Sequence, residues 1–231
     1  RTTDEPSVDA GSWVSADTTQ LSVAPGAQTD VAFTVSVPAD AAPGDHSAGL
    51  ITSFRGGSDG GTIDVDRRLA TRVSVRVSGD LAPAVEVQDA SAAYVGSWNP
   101  FDPGTLVLTY RLANAGNTLL TATDGSSASG PFGAIRVTPG PMLLPEVIPG
   151  STVDVRREIE IAPWGWLTGS VSVHPEAIGL GAQELAPVTV AYSTAAVPWT
   201  LLIVFALVAG VAVAVWLVVR RRSKTPAPAK V

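Results

Sequence analysis

Between Trp199 and Val219 the chain runs for 21 residues without a charge, WTLLIVFALVAGVAVAVWLVV, and then meets Arg220, Arg221 and Arg222. A helix over this run is about 31 Å long at about 1.5 Å per residue, against a bilayer hydrocarbon core of about 30 Å. Pro198 marks its start, and Trp199 and Trp216 stand near its two ends, where indoles favour the headgroup layer. The basic cluster is expected in the cytoplasm by the positive-inside rule. That makes the chain a single-pass protein of the plasma membrane, with its N-terminal part extracellular, a membrane helix over 198–219 and a basic tail over 220–231. A core helix of a soluble protein has no need of such a basic stop. No Leu-Pro-x-Thr-Gly sorting motif precedes the run, Leu144-Pro145-Glu146-Val147 failing at its last two positions. A lipid-anchor signal would end in apolar residues instead of arginines.

Charge is divided sharply by this segment. Before it, ten basic residues stand against 21 acidic ones, a net of −11, while five basic residues after it give the tail +5. An acidic extracellular region argues against nucleic acid as a partner. The chain has no cysteine, which excludes thiol catalysis and cysteine-ligated zinc and leaves each core to hold by packing alone.

The extracellular part reads as strands. Residues 29–37 alternate, with Val31, Phe33, Val35 and Val37 on one face, the signature of a half-buried strand. Pro25-Gly26 and Pro43-Gly44 turn the chain on either side, and 48–54 forms a further strand before the glycine loop Gly56–Gly61. In 69–77, Val73, Val75 and Val77 face one way and Arg72, Ser74 and Arg76 the other. Past a junction at 79–83, Leu106, Leu108, Tyr110 and Leu112 share a face and end at the turn Asn114-Ala115-Gly116-Asn117. Val153, Val155, Ile159 and Ile161 imply one or two strands around Arg156-Arg157; Val171 with Val173 and Val188, Val190 with Tyr192 imply the closing pair. With no helical period and Pro/Gly turns between strands, the expected fold is all-β: two immunoglobulin-like β-sandwich domains, 1–79 and 80–197, ahead of the membrane helix. The first offers about five strands where such a sandwich has about seven. It is therefore expected to lack N-terminal strands, or to accept a strand from another protein.

A resemblance joins this reading. Trp13-Val14, the Pro25-Gly26 turn, Val31-Ala32-Phe33-Thr34-Val35-Ser36-Val37-Pro38, Pro43-Gly44-Asp45-His46, Ala48-Gly49-Leu50-Ile51 and Arg72–Gly79 together resemble the peptidoglycan-binding domain of the bacterial WxL-interacting proteins. The block running from Val37-Pro38 to Pro43-Gly44-Asp45-His46 is its most specific part. The resemblance implies a wall-associated surface protein of β-sandwich domains and one membrane helix, with peptidoglycan and a WxL-domain surface protein as partners. Residues 81–196 match no motif of that family. Tight strand connections in general also use such Pro-Gly turns.

Sites of bond chemistry are not expected, nor is a cofactor or a metal. Gly56-Gly57-Ser58-Asp59-Gly60 has the spelling of a nucleophile elbow but lies between strands, without the strand–turn–helix context that chemistry needs. His46 and His174 are lone histidines, and Asp59, Asp64 and Asp66 lack the spacing of a calcium loop. The candidate binding residues are aromatic: Trp98 and Phe101, and Trp164 and Trp166, each flanked by proline or glycine. Trp164 and Trp166 have two further uses open to them, resting at the lipid interface or, as the leading expectation, plugging the bottom of the second sandwich.

Overall fold

The computed structural model describes residues 9–56, 65–179 and 182–222. Strands take up 49% of the chain, which with one apolar C-terminal helix places it in the all-β class plus that helix.

A one-turn helix, α1 (Ala10–Trp13), leads into β1 (Val14–Ala16), which pairs antiparallel with β2 (Phe33–Val35). A long hairpin follows, β3 (Gly44–Gly56) and β4 (Val65–Val77), paired in one register from Gly44 opposite Val77 to Gly56 opposite Val65. Alternation does its expected work on β4. Val73, Val75 and Val77 turn to the face where Ala10, Trp13 and Ala48 are buried. This first unit has a small core. The strand expected over 29–37 shrinks to three residues, and Phe33 and Val37 on its apolar face are exposed. Strand propensity is realised only where a partner takes up the backbone bonds, and β2 has β1 alone. Residues 57–64, with Ser58, Asp59 and Asp64, lie outside the described residues.

The second unit begins with β5 (Val85–Val95), β6 (Gly104–Asn114), β7 (Leu120–Asp124) and β8 (Ser127–Ser129). After a 3₁₀ turn at Pro131–Gly133 come β9 (Arg136–Val137), β10 (Met142–Leu143), β11 (Thr152–Ile161), β12 (Gly165–Ala177), β13 (Gln183–Glu184) and β14 (Val188–Ala196). One sheet runs β11-β6-β5. The other is built around β12, which pairs with β14 on one side and with β7 and β8 on the other, while β10, β9 and β13 extend it. The two sheets share one core. Leu106, Leu108 and Leu112 from β6 and Val155, Ile159 and Ile161 from β11 meet Leu167, Val171 and Val173 from β12. Each such side chain stabilises the fold by about 1.5–3 kcal/mol. The segment around Arg156-Arg157 is one continuous strand, paired with β6 from Thr152 to Ile161.

Helix α2 (Trp199–Arg222) follows β14 after two residues, Val197 and Pro198. Its stretch Trp199–Arg221 is long and apolar enough to cross a membrane, and none of its apolar window is covered by protein.

Candidate functional site

The two ends of the second unit differ in chemistry. At the end where β6 finishes, the unit meets the first one through Pro43-Gly44-Asp45-His46. Gly44 has φ +132°, and a side chain there would overlap the carbonyl of Asn117. Glycine is needed at this point both for the dihedral and for the close approach. The Asp45 N–H donates to that same carbonyl at 2.8 Å. The Asp45 carboxylate accepts from Arg76 Nε at 2.5 Å and Nη2 at 2.7 Å, and from the Leu119 N–H at 2.7 Å. Arg76 Nη2 also donates to the Ile178 carbonyl at 2.8 Å. One carboxylate and one guanidinium therefore tie β3 and β4 to two separate loops of the second unit. Arg76 beside it holds the Asp45 carboxyl below its ordinary value of 3.8, against the opposing effect of burial. Asn117 completes the joint, its side-chain amide donating to the carbonyls of Pro43 and Asp80 and accepting from the Ala82 N–H. A second ion pair, Arg72 with Glu146 at 2.5 Å, lies at the rim.

The His46 ring is held by groups of the first unit. Its Nδ1 lies 2.8 Å from Asp9 Oδ1, its Nε2 donates to the Ala42 carbonyl at 2.9 Å, and its ring tilts against Trp13 at 4.7 Å between centroids. A general-base histidine keeps one nitrogen for the nucleophile's proton. Here a backbone carbonyl occupies that position.

At the other end, the turns between strands carry the aromatic candidates. Loop 96–103 joins β5 to β6 and bears Trp98 and Phe101, which are 93% and 87% exposed; the β11–β12 turn bears Trp164 and the start of β12 bears Trp166, 53% and 52% exposed. Trp164 and Trp166 therefore do not plug the core. Leu167 and Ile161 close it, because on β12 the residue after Trp166 takes the inward side of the pleat. The fold brings all four candidates to one end, and adds Phe132, which the sequence reading passed over although Pro131 and Gly133 flank it in the same manner. Three strand ends are stitched together here by Tyr94, whose hydroxyl donates to the Ile161 carbonyl at 3.2 Å and accepts from the Gly104 N–H at 3.0 Å. The first turn of α2 joins them, Thr200 Oγ1 donating to the Ser97 carbonyl at 2.9 Å. Comparison of the chain with family models, with curated proteins and with solved structures returned no match.

Between the two ends lies a polar node that alternation alone would assign to apolar residues. Arg157 occupies an inward position of β11, and its Nη1 stands 3.9 Å from Oδ1 of the fully buried Asp124. Asp124 accepts from Tyr110 Oη at 2.7 Å and from the Ser126 N–H and Oγ at 2.6 Å each. Burial first, and the bond to Asp124 second, push the Tyr110 hydroxyl well above its ordinary range; burial and the charge of Asp124 raise that of Tyr192 to about 12. Both hydroxyls act as donors, Tyr110 across the sheets to Asp124 and Tyr192 within one sheet to the Ser127 carbonyl. His174 lies elsewhere, exposed on β12 beside Ser172 at 3.3 Å, and Asp66 pairs with Arg68 at 2.8 Å. Among the described residues no group of three acidic or histidine side chains is placed to hold a metal.

Proposed function

We propose that this chain is a non-enzymatic, membrane-anchored protein of a bacterial cell surface that associates with peptidoglycan and scaffolds partner surface proteins. In this reading α2 spans the plasma membrane, Arg220–Arg222 lie in the cytoplasm and both β units, each of immunoglobulin-like sandwich type, stand outside. The observation that carries it is the axial order of the molecule. The helix leaves one end of the second unit, and the first unit is clamped to the opposite end, about 36 Å away along the eleven residues of β6. The unit that resembles a peptidoglycan-binding domain is thereby the one presented farthest from the bilayer. Its hairpin exposes Phe54 and Leu69 on one face and Ile51 on the other, apolar side chains suited to a protein partner such as a WxL-domain protein.

Sedimentation with insoluble peptidoglycan tests this. The full chain in mild detergent should pellet with the polymer while an unrelated β-sandwich protein of similar charge stays in the supernatant. Retention of the folded chain in the supernatant would refute wall association. A second reading is then favoured by the joint and the Thr200–Ser97 bond, which link the first unit to the helix: a sensor or accessory subunit that recognises an extracellular protein ligand.

A further inference from the structure

The aromatic end of the second unit invites a more specific assignment, one that rests on the reading of α2 as a membrane span. Only Val197 and Pro198 separate β14 from the helix, a reach of about 7 Å at most. The Thr200–Ser97 bond fastens the first helical turn to loop 96–103. Trp199 and Ile203 share with Trp98 and Pro163 the lining of a cleft of about 270 Å³. Wherever the helix enters a bilayer, these loops stand at its surface, and no room is left for a protein partner between them and the headgroups.

Their composition fits that position. Five large aromatic side chains are exposed on three turns, Phe132 at 109% of its reference area. Phe132 also holds φ +54°, a left-handed conformation that is costly for a bulky residue, and the strained turn presents its ring outward. The same three turns, 96–103, 130–136 and 162–166, carry only Asp102 and Arg136 as charged groups. The rest of the extracellular region is strongly acidic, so this is the one end that an anionic headgroup layer would not repel. Indole and phenyl rings beside few charges are the composition of a membrane interface.

We infer that this end is a lipid-docking surface, with Trp98, Phe101, Phe132, Trp164 and Trp166 seated in the headgroup layer of the leaflet that α2 enters. The second unit then rests on the bilayer as a foot with a fixed orientation, and it sets the direction in which the first unit projects.

The absence of native cysteine allows single-site fluorophores at Phe132→Cys, Phe101→Cys, Ile51→Cys and Val208→Cys in the full chain. The chain is reconstituted in phosphatidylcholine–phosphatidylglycerol vesicles that carry a nitroxide either on the headgroup or midway along the acyl chain. The Val208 label should be quenched by the mid-chain nitroxide. The labels at 132 and 101 should be quenched by the headgroup nitroxide several-fold more than the label at 51. A quenched Val208 label with 132 and 101 no better quenched than 51 overturns the docking while the span stands. An unquenched Val208 label overturns the span and the docking with it. Trp164→Ser with Trp166→Ser should lower headgroup quenching of the Phe132→Cys label several-fold and, in the Val208→Cys chain, leave mid-chain quenching unchanged; unchanged headgroup quenching at 132 would overturn the anchoring role of the indoles.

Discussion

Asp45 concentrates much of what holds the two β units together. Its carboxylate takes two bonds from Arg76 and one from the Leu119 amide, while its own amide reaches Asn117. Bonds to a charged, largely buried group are worth about 1.5–3 kcal/mol each against an unmade partner, so Asp45→Asn should cost about 2 kcal/mol at neutral pH. The pH dependence follows from the lowered carboxyl. Unfolded Asp45 takes up its proton near 3.8 while the folded residue does not. The contribution is therefore full above that value and is lost as the pH falls below it towards the folded pKa. Urea titrations at stepped pH should show the gap between the native chain and Asp45→Asn closing in that acid window; a gap constant with pH would contradict the assignment. At the alkaline side the sign is again a loss. With Tyr192 at about 12 against an ordinary 10.0, the unfolded chain releases its proton first and stability declines as the pH rises between those values. Tyr192→Phe should remove that part of the alkaline slope in the same titrations, with a cost of about 1 kcal/mol below pH 10 for the bond to the Ser127 carbonyl that shrinks as the pH rises.

Among the elements, β11 joins two kinds of residue on one face. Val155, Ile159 and Ile161 are core and flank Arg157, which stands 3.9 Å from Asp124 and donates to the Gly140 carbonyl. A buried charge stripped of its partner is far costlier than the pair is stabilising. Asp124→Ala should accordingly lower stability by about 3–5 kcal/mol by denaturant unfolding, whereas replacing both Asp124 and Arg157 with apolar residues should recover much of that loss. A double variant no more stable than Asp124→Ala would show that the node contributes more than charge compensation. The hairpin β3–β4 is bound more locally: its base packs on Trp13 and its far half exposes Ile51, Phe54 and Leu69. Beyond its first turn, which Thr200 ties to loop 96–103, none of the apolar window of helix α2 is buried by protein, so that window is surrounded by lipid in the proposed reading. A charge at its centre should act by transfer cost: Val208→Arg should reduce membrane insertion in a glycosylation-mapping assay by about 2.5–3.5 kcal/mol.

For the whole molecule, the joint at one end of the second unit and the tether at the other make a continuous path from the hairpin to the helix. Gly44 is the point where that path is tightest. Gly44→Ala adds a left-handed strain of about 1–3 kcal/mol and an overlap with Asn117. It should therefore separate the units before it unfolds either. Spin labels at Ile51→Cys and Glu176→Cys would register this as a broadened distance distribution. A distribution as narrow as in the parent chain would mean that the joint is held by contacts other than these.

The membrane-length helix, the strand at β6 and the closing pair β12–β14 were legible in the residue order, because each is a local periodicity of apolar side chains that needs no knowledge of its partner. Strand β5 was not, since its alanines, serine and aspartate blur the alternation, and the short β7–β10 lie in a stretch broken by proline and glycine. Arg157 was legible only as a charge within a strand; its partner Asp124 sits on a strand of the opposite sheet, and no local pattern relates the two. The same holds for both ends of the second unit. Pro43-Gly44-Asp45-His46 stood out in the sequence as a turn and as part of the family resemblance, and Trp98, Phe101, Trp164 and Trp166 as candidate binding residues. That the turn is a joint between the two β units, and that the aromatics gather with Phe132 around the start of α2, depend on which strand ends the two sheets bring side by side. Periodicity determines which face of an element is apolar; only the packing of the elements decides what each face and each turn will meet.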